Sequence, residues 1–428
     1  MRPLREVLGQ RQEVLRLNEE LGDWQAITIK FSGEVLPRDR STAFKGAMFA
    51  AYPGDLVFSK IDARNGAVGL IPGDIPKAVV TSEYPVLIPD AAKLRPAYLN
   101  YLLRAQHFKT ALMRKASGTS GRKRVAAEGF LELFVPVPDL REQDRLVAAY
   151  VGALEHSTKL ESEAKAIEDG GLLVFEGALG APLSSALPKR PVFVARFKNV
   201  ERWSHESILR SIESADGPNQ SISCLARLGD VVRDFKVGWS PKCLERAASV
   251  NEWGVLKLSA VTTGEFNDSA NKALPTKLQP QPELEVRPGD VLITRGSGVT
   301  RLVGATVFVE STRTQLMICD LMYRVVFHDN SPIVPRYLAE VLRTPFLRKQ
   351  IEERRTGDAP MMQKITKTAL LELTIPLPDI GVQRELVNDL LLARSAAKEK
   401  REAALRLRQT AWAAFESSVF SPTEKFSA

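Results

Sequence analysis

The chain has 428 residues, 44% of them apolar and 26% charged, a composition typical of a soluble globular protein of roughly two to three domains. No apolar run approaches the roughly 18–20 residues that span a bilayer, and residues 1–12 lack the apolar core of a secretion signal. We therefore expect a cytoplasmic protein without membrane contact. The net charge of +8 and the pI near 9.3 favour a polyanionic partner, with nucleic acid first.

The cysteines and histidines are too scattered to predict a metal centre. Cys224, Cys243 and Cys319 form no Cys-x-x-Cys pair, and the four histidines are isolated from one another. We therefore expect neither a disulfide framework nor a structural zinc site.

In chain order, the first 139 residues show strand and turn signals and then helix signals. Pro53-Gly54-Asp55 is a turn that leads into a β-rich run at 56–60, and proline near a first turn predicts a helix that begins at Pro96. A Ser/Gly/Thr loop follows at 117–121 and ends in Arg122-Lys123-Arg124.

The same order of signals returns later in the chain. The stretch Leu-Glu-Leu-Phe-Val-Pro-Val-Pro-Asp at 131–139 recurs as Leu-Glu-Leu-Thr-Ile-Pro-Leu-Pro-Asp at 371–379, an offset of 240 residues. Each copy is predicted to be a short strand that its prolines end, because proline has no N–H for a ladder. Other blocks recur in the same order: Pro-Gly-Asp at 288–290, Ala67-Val68-Gly69 as Leu302-Val303-Gly304, Pro-x-Tyr-Leu at 335–338, and Gln143 as Gln383.

A long run without proline follows each copy and predicts a helix of roughly 35–40 residues, or roughly 50–60 Å. Two such helices in one chain predict an antiparallel coiled coil. Gly152 and Gly170-Gly171 interrupt the first pattern, and Lys400 interrupts the second. The apolar positions predicted to face the other helix form the seam of the coiled coil. They are Val147, Val151, Leu154, Leu160, Ala164 and Ile167 in the first helix, and Leu386, Leu390, Ala393, Ala397, Ala404, Leu407, Ala411 and Ala414 in the second.

The predicted fold is therefore α/β (α+β), a tandem duplication of two β-rich domains separated by two long helices that pack as an antiparallel coiled coil. The predicted divisions are a first β-rich domain at 1–139, a first helix at 140–180, a connector at 181–221, a second β-rich domain at 222–379, a second helix at 380–420 and a tail at 421–428.

The sequence contains no convincing catalytic motif. Carboxylates do not cluster with a lysine as in nucleases, and no His/Asp set has metal-ligand spacing. A phosphate loop, the third glycine of a dinucleotide site and the Asp/Asn-Pro-Pro-Phe/Tyr tetrapeptide of amino-methyltransferases are all missing. We therefore predict a non-catalytic chain.

What the sequence does offer is basic loops. Hydroxyl, backbone N–H and guanidinium groups in a loop suit phosphate contacts and groove entry, and their recurrence in both copies favours function over solvated charge. In the first copy the candidate DNA-binding residues are Lys60, Arg64, Asn65, Ser117, Thr119, Ser120, Arg122, Lys123 and Arg124. In the second copy they are Arg295, Ser297, Thr300, Arg301, Arg354, Arg355, Thr356, Gln363 and Lys364.

Together these features resemble the specificity (S) subunit of type I restriction-modification systems, so the chain looks HsdS-like. The resemblance spans nearly the whole chain and rests on the paired Pro-Gly-Asp strands, the Ser-Gly-Thr loop, the repeated Leu-Glu-Leu stretch and the two glutamines. One departure is that the family's Glu-Gln pair is present as Glu142-Gln143 in the first copy but is Val382-Gln383 in the second.

The resemblance implies that each β-rich domain is a target-recognition domain that reads one half of a split double-stranded DNA sequence. The helices would set the spacing and dock two methyltransferase (M) subunits, and restriction/translocase (R) subunits would join. S-adenosylmethionine and ATP would bind to those partners, with no cofactor in this chain. Two alternatives stay open: a self-contained DNA methyltransferase or nuclease with an unfamiliar site, and a coiled-coil scaffold that does not bind DNA.

Overall fold

The computed structural model describes residues 1–16, 20–40, 42, 44–115, 124–179, 225–357 and 362–420; the predicted connector and tail lie outside these ranges. The chain forms two compact units, the first of Met1–Ser162 with Lys400–Ala428 and the second of Glu163–Glu399. The α-helices of the described residues are α1 (Pro96–Leu102), α2 (Gln106–Lys115), α3 (Ala127–Leu131), α4 (Leu140–Ala178), α5 (Leu228–Val231), α6 (Pro335–Val341), α7 (Pro345–Glu353), α8 (Lys367–Leu371) and α9 (Ile380–Phe420).

Each unit contains a four-stranded antiparallel sheet, and the strand order is equivalent in the two units. In the first unit the order is β2 (Leu8–Gln10), β10 (Val86–Pro89), β7 (Leu56–Phe58) and β8 (Val68–Leu70). In the second unit it is β13 (Val232–Val237), β20 (Met322–Phe327), β16 (Val291–Thr294) and β18 (Thr306–Phe308). The predicted duplication is confirmed.

The larger of the remaining sheets differ between the units. The first unit has a five-stranded sheet of β3 (Val14–Leu15), β6 (Met48–Ala51), β9 (Ala78–Thr81), β4 (Gln25–Ile29) and β5 (Val35–Pro37). The second unit has a three-stranded sheet of β15 (Asn271–Ala273), β14 (Gly254–Leu256) and β19 (Leu316–Met317). Two-stranded ribbons pair β1 (Arg2–Pro3) with β11 (Phe134–Val135), β12 (Leu225–Arg227) with β22 (Thr374–Pro376), and β17 (Gly296–Ser297) with β21 (Gln363–Lys364). The ribbons β1–β11 and β12–β22 are equivalent in the two units.

The Pro-Gly-Asp motif builds the turn before the central strand β7 or β16. Gly54 and Gly289 have φ of 87° and 95°, a left-handed conformation that glycine adopts without a steric cost. The carboxylate of Asp55 accepts a hydrogen bond from the N–H of Tyr52, and that of Asp290 accepts one from the N–H of Arg287, both at 2.8 Å. Each aspartate therefore closes its own turn.

One predicted correspondence between the copies is wrong. β8 pairs with β7 as β18 pairs with β16, so β18 is the equivalent of β8 in the second copy. Leu302-Val303-Gly304 is therefore not the equivalent of Ala67-Val68-Gly69. The N–H of Ser59 donates to the carbonyl of Ala67 and that of Thr294 donates to the carbonyl of Ala305, so the second loop is longer by three residues. The longer loop contains β17, which pairs with β21. Among the described residues, only the second unit has such a ribbon.

Each copy of the repeated Leu-Glu-Leu stretch contains the predicted short strand beside its first proline, but its first residue belongs to the end of a helix. α3 ends at Leu131 and α8 ends at Leu371, and the short strands β11 and β22 follow. The prolines present their carbonyl groups to buried tyrosines. The hydroxyl of Tyr98 donates to the carbonyl of Pro136 at 3.1 Å, and that of Tyr337 donates to the carbonyl of Pro376 at 3.0 Å.

Gln143 and Gln383 are fully buried in the first turn of the two long helices. Each side-chain amide donates two hydrogen bonds to carbonyl groups and accepts one from a backbone N–H, so it ties the helix start to the loop before α1 or α6. The partners are the carbonyls of Lys93 and Pro138 and the N–H of Arg95 for Gln143 (each 2.8 Å), and the carbonyls of Pro332 (2.9 Å) and Pro378 (2.7 Å) and the N–H of Val334 (2.8 Å) for Gln383.

The long helices α4 and α9 pack closely and run antiparallel. In the first unit Tyr150 meets Trp412 with ring centroids 5.4 Å apart, and the hydroxyl of Ser157 donates to the carbonyl of Ala404 at 3.1 Å. From the first of these contacts to the second, the residue numbers rise along α4 and fall along α9. The two helices therefore run antiparallel, as predicted. Within the described residues, no helix is both long and apolar enough to cross a membrane.

The predicted seams are buried or half-buried at every position except Ala414, which is exposed. Phe415 is buried instead, because its ring packs on Tyr98 with centroids 6.2 Å apart. The equivalent pair of the second unit, Phe175 and Tyr337, has centroids 6.1 Å apart. An aromatic ring from a long helix therefore anchors each β-rich domain.

Gly171 does not interrupt the helix pair, as the sequence suggested, but permits its close approach. A Cβ at Gly171 would lie 2.6 Å from the Cβ of Ala393, whereas a Cβ at Gly170 would meet nothing within 4 Å. We predict that Gly171→Ala lowers the free energy of unfolding by about 1–2 kcal/mol, because overpacking outweighs the gain in helix propensity. The neighbouring Gly170→Ala should raise it by up to about 1 kcal/mol. Urea denaturation of both variants measures the contrast, and equal effects would contradict the packing argument.

Candidate nucleic-acid interface

Each unit holds a cationic residue within two positions of the end of the inner strand β7 or β16 of its four-stranded sheet. The N–H of Lys60 donates to the carbonyl of Glu83 at 3.0 Å, and its carbonyl accepts from the N–H of Val125 at 2.8 Å. This backbone clamp places Lys60 beside the residue before Val125, which is Arg124. The structure therefore brings together two candidates that are 64 positions apart in the sequence.

The second unit repeats this clamp. The N–H of Arg295 donates to the carbonyl of Leu321 at 2.7 Å, and its carbonyl accepts from the N–H of Ile365 at 2.9 Å. Lys364 precedes Ile365 and pairs with Gly296 across the β17–β21 ribbon. Two basic side chains thus occupy corresponding positions in both units, and we call Lys60 with Arg124 and Arg295 with Lys364 the cation pairs.

The surroundings of the first cation pair form an open cleft of about 490 Å³. Polar and aromatic side chains line it, among them Gln10 of β2, Phe49 of β6 and Tyr84 of the turn before β10. Arg124 also forms an exposed ion pair with Glu83 at 3.4 Å. Gln10 and Tyr84 were not predicted from the sequence, because their contribution depends on how the strands pair.

Arg64 and Asn65 lie in a different environment from Lys60. They belong to a short 3-10 turn, Ala63–Asn65, that packs against α2, and the amide of Asn65 donates to the carboxylate of Asp62 at 3.0 Å. The candidates Ser117, Thr119, Ser120, Arg122 and Lys123 lie outside the described residues.

The second site contains most of its predicted residues around the β17–β21 ribbon. Thr356 bridges to Lys364 on the opposite side from Gly296, with backbone hydrogen bonds of 2.8 and 3.0 Å. The guanidinium of Arg355 donates to the carbonyl of Thr300 at 2.9 Å, which fixes the turn before the exposed Arg301. Ser297 is buried, and Arg354 is half-buried and donates to the carbonyl of Gln350 in α7.

Sequence reasoning missed Arg348, which supports this site from α7. Its guanidinium donates to the carbonyls of Arg301 and Val303, both at 2.9 Å. Burial lowers the pKa of Arg348 from its ordinary value. No pattern near Arg348 marks it, because the loop it holds lies more than 40 residues earlier.

Both sites contain basic, amide and hydroxyl side chains. Among the residues that the structure describes, no group of three or more His, Cys, Asp or Glu side chains could hold a metal ion. The sites offer positive charge, amide groups and hydroxyl groups, which suit phosphate oxygens and base edges.

Comparison of the sequence with known proteins gives a partial match. No protein-family model matches the chain. The Type I restriction enzyme EcoEI specificity subunit of Escherichia coli is 34% identical to it over 164 residues, which is 38% of this chain and 27% of that protein. The similarity in sequence thus covers well under two thirds of that relative's length.

Comparison of the structure extends the similarity to nearly the whole chain. The HsdS subunit of Thermoanaerobacter tengcongensis superimposes with a TM-score of 0.50 and 17% identity over 98% of this chain and 95% of that one. A second solved chain comes from a structure described as "Structural basis underlying complex assembly and conformational transition of the type I R-M system". It superimposes with a TM-score of 0.59 and 18% sequence identity, over 97% of this chain and 96% of that one. At these identities the likeness concerns the fold, and it confirms the predicted fold class. The chain is HsdS-like in its fold, which is similar to that of these solved chains over nearly its whole length, and over 164 residues its sequence is similar to that of one type I specificity subunit.

Proposed function

We propose that this chain is the DNA-recognition subunit of a type I restriction-modification complex. Each β-rich domain reads one half of a split double-stranded target, and the long helices set the spacing and dock two methyltransferase subunits. The observation that carries the proposal is the repeated clamp that holds a cation pair in each unit, Lys60 with Arg124 and Arg295 with Lys364.

The two cation pairs share their geometry but not their surroundings. Sequence-independent phosphate contacts need positive charge at a fixed position, whereas base contacts must differ when the bases differ. An open cleft lies beside Lys60 in the first unit, whereas the ribbon β17–β21 lies beside Arg295 in the second. This combination supports two half-sites of unlike sequence.

The proposal assigns binding to this chain and chemistry to its partners. Methyltransferase subunits would supply the S-adenosylmethionine site, restriction/translocase subunits would supply the ATP site, and this chain would bind neither cofactor. Methyl transfer or DNA cleavage by the purified chain alone would contradict this division.

We predict that Arg295→Ala or Lys364→Ala weakens DNA binding by the assembled complex by about 1 kcal/mol or more. Each variant should also reduce the slope of the logarithm of the binding constant against the logarithm of the salt concentration by about one. The complex is prepared from this chain and the methyltransferase subunits encoded beside it, and affinity is measured by fluorescence anisotropy at several salt concentrations. Lys398→Ala, an exposed cation on α9, is the matched control. Unchanged affinity for both site variants would favour a scaffold that does not contact DNA.

A further inference from the structure

The β17–β21 ribbon ends in two exposed apolar side chains. Ser297 pairs with Gln363, Val299 lies two residues after Ser297, and Met362 directly precedes Gln363, so both apolar residues lie at the same end. Val299 is 49% exposed and Met362 is 46% exposed. Single exposed apolar residues are ordinary, but two at one end of a ribbon form a small apolar surface, which we call the ribbon tip.

The charge around the ribbon tip is positive. Arg301 and Lys364 are exposed, each two residues from a tip residue, and the guanidinium of Arg355 contacts the carbonyl of Thr300 at 2.9 Å. A partner that covers this surface must therefore be anionic and must also present an apolar group. Duplex DNA meets both needs, because thymine carries its C5 methyl group in the major groove between two rows of phosphates.

The ribbon tip is held by its own hydrogen bonds. The hydroxyl of Ser297 accepts from the N–H of Val299 at 3.0 Å, and the guanidinium of Arg348 fixes the carbonyls of Arg301 and Val303. A contact that distinguishes one methyl group needs such a fixed position.

The ribbon belongs to the loop that is three residues longer in the second unit than in the first, and among the described residues only the second unit has such a ribbon. The cation pair, by contrast, is common to both copies. Features that are shared suit the shared phosphate backbone, and features that differ suit the bases of one half-site.

We propose that Val299 and Met362 contact the C5 methyl group of a thymine in the major groove and so specify a T·A pair in the half-site of the second β-rich domain. The inference rests on the proposed function and names one element of its specificity. Val299 and Met362 are specificity residues, while Arg295 and Lys364 contact phosphates.

The test uses the assembled complex with its methyltransferase subunits and the target duplex defined by its methylation motif. Each thymine of the target, on either strand, is replaced singly by deoxyuridine, which keeps every hydrogen-bonding group of the base and removes only the methyl group. We expect one deoxyuridine in the second half-site to weaken binding roughly three- to tenfold, the loss expected for one buried methyl group. In the Val299→Ala, Met362→Ala double variant the same replacement should change affinity less than twofold.

Val250→Ala is the matched control, because Val250 is 77% exposed in the same unit and lies outside the ribbon. This variant should keep the full deoxyuridine effect. The inference is overturned if no deoxyuridine in the second half-site weakens binding, if that half-site contains no thymine, or if the double variant is equally sensitive. A wild-type complex that binds all duplexes alike overturns the proposed function together with the inference, so the two failures are distinguishable.

Discussion

Replacing Glu340 with alanine is expected to lower the free energy of unfolding by about 3–5 kcal/mol, the cost of breaking a buried ion pair. The Glu340 side chain on α6 is 3% exposed and accepts two hydrogen bonds from the guanidinium of Arg394 on α9, at 2.7 and 2.9 Å. Arg336 and Arg343 lie within 3.2 and 3.5 Å of the same carboxylate. Alanine would leave these guanidinium groups without their common partner.

The matched control is Glu245→Ala in the same unit. Glu245 pairs with Lys272 at 2.8 Å, but its side chain is 85% exposed, so its loss should leave the free energy of unfolding nearly unchanged. Urea denaturation of both variants measures the difference. Similar small losses in the two variants would show that the cluster around Glu340 does not stabilise the second unit.

The Glu340 cluster also predicts a dependence on pH. Burial alone would raise the pKa of Glu340, but the hydrogen bonds from Arg394 and the charges of Arg343 and Arg336 outweigh burial and hold that pKa below its ordinary value. The cluster's stabilisation is therefore complete above the pKa of about 4.3 of an unfolded glutamate and is lost as the pH falls through the lower folded value. The stability gap between the wild type and Glu340→Ala should narrow in acid over that window.

Replacing either buried glutamine with alanine is expected to lower the free energy of unfolding by about 3 kcal/mol. Each alanine variant leaves two carbonyl groups and one N–H without a hydrogen-bond partner. The isosteric changes Gln143→Glu and Gln383→Glu should be nearly as harmful. The amide nitrogen donates to two carbonyl oxygens, and a carboxylate has no proton to donate to them.

Gln409→Ala is the control for these variants, since Gln409 is exposed on α9 and its loss should change the free energy of unfolding by no more than about 0.5 kcal/mol. The equivalent variants at 143 and 383 should have similar effects in thermal and urea denaturation. A large effect at one position and none at the other would contradict the equivalence of the two copies.

The sequence predicted the repeated parts of the fold well, because similar motifs that recur in the same order mark equivalent places in the two copies. Pro-Gly-Asp gave the turns, and the long proline-free runs gave α4 and α9. Gln143 and Gln383 were recognised as a pair by their spacing, but their role was not, since their partners Arg95 and Val334 carry no motif.

What differs between the copies was harder to predict. An insertion of three residues shifted the correspondence after Arg295, and short identities such as Val-Gly matched at the wrong register. The cluster of Glu340 and Arg394 joins two helices, and no periodicity marks it; the equivalent of Glu340 in the first unit is Tyr101, whose ring packs on Tyr150 with centroids 4.9 Å apart. The site was predictable as a set of basic loops, whereas the pairing of Lys60 with Arg124 needed the backbone clamp.

The most direct test of two-part DNA recognition is a genome-wide map of methylated adenines in the host, with and without the gene for this chain. We predict a split motif, two short unlike half-sites at a constant spacing, that disappears on deletion and returns when the gene is restored. A map that deletion leaves unchanged, or a lost motif that is short and uninterrupted, would contradict it.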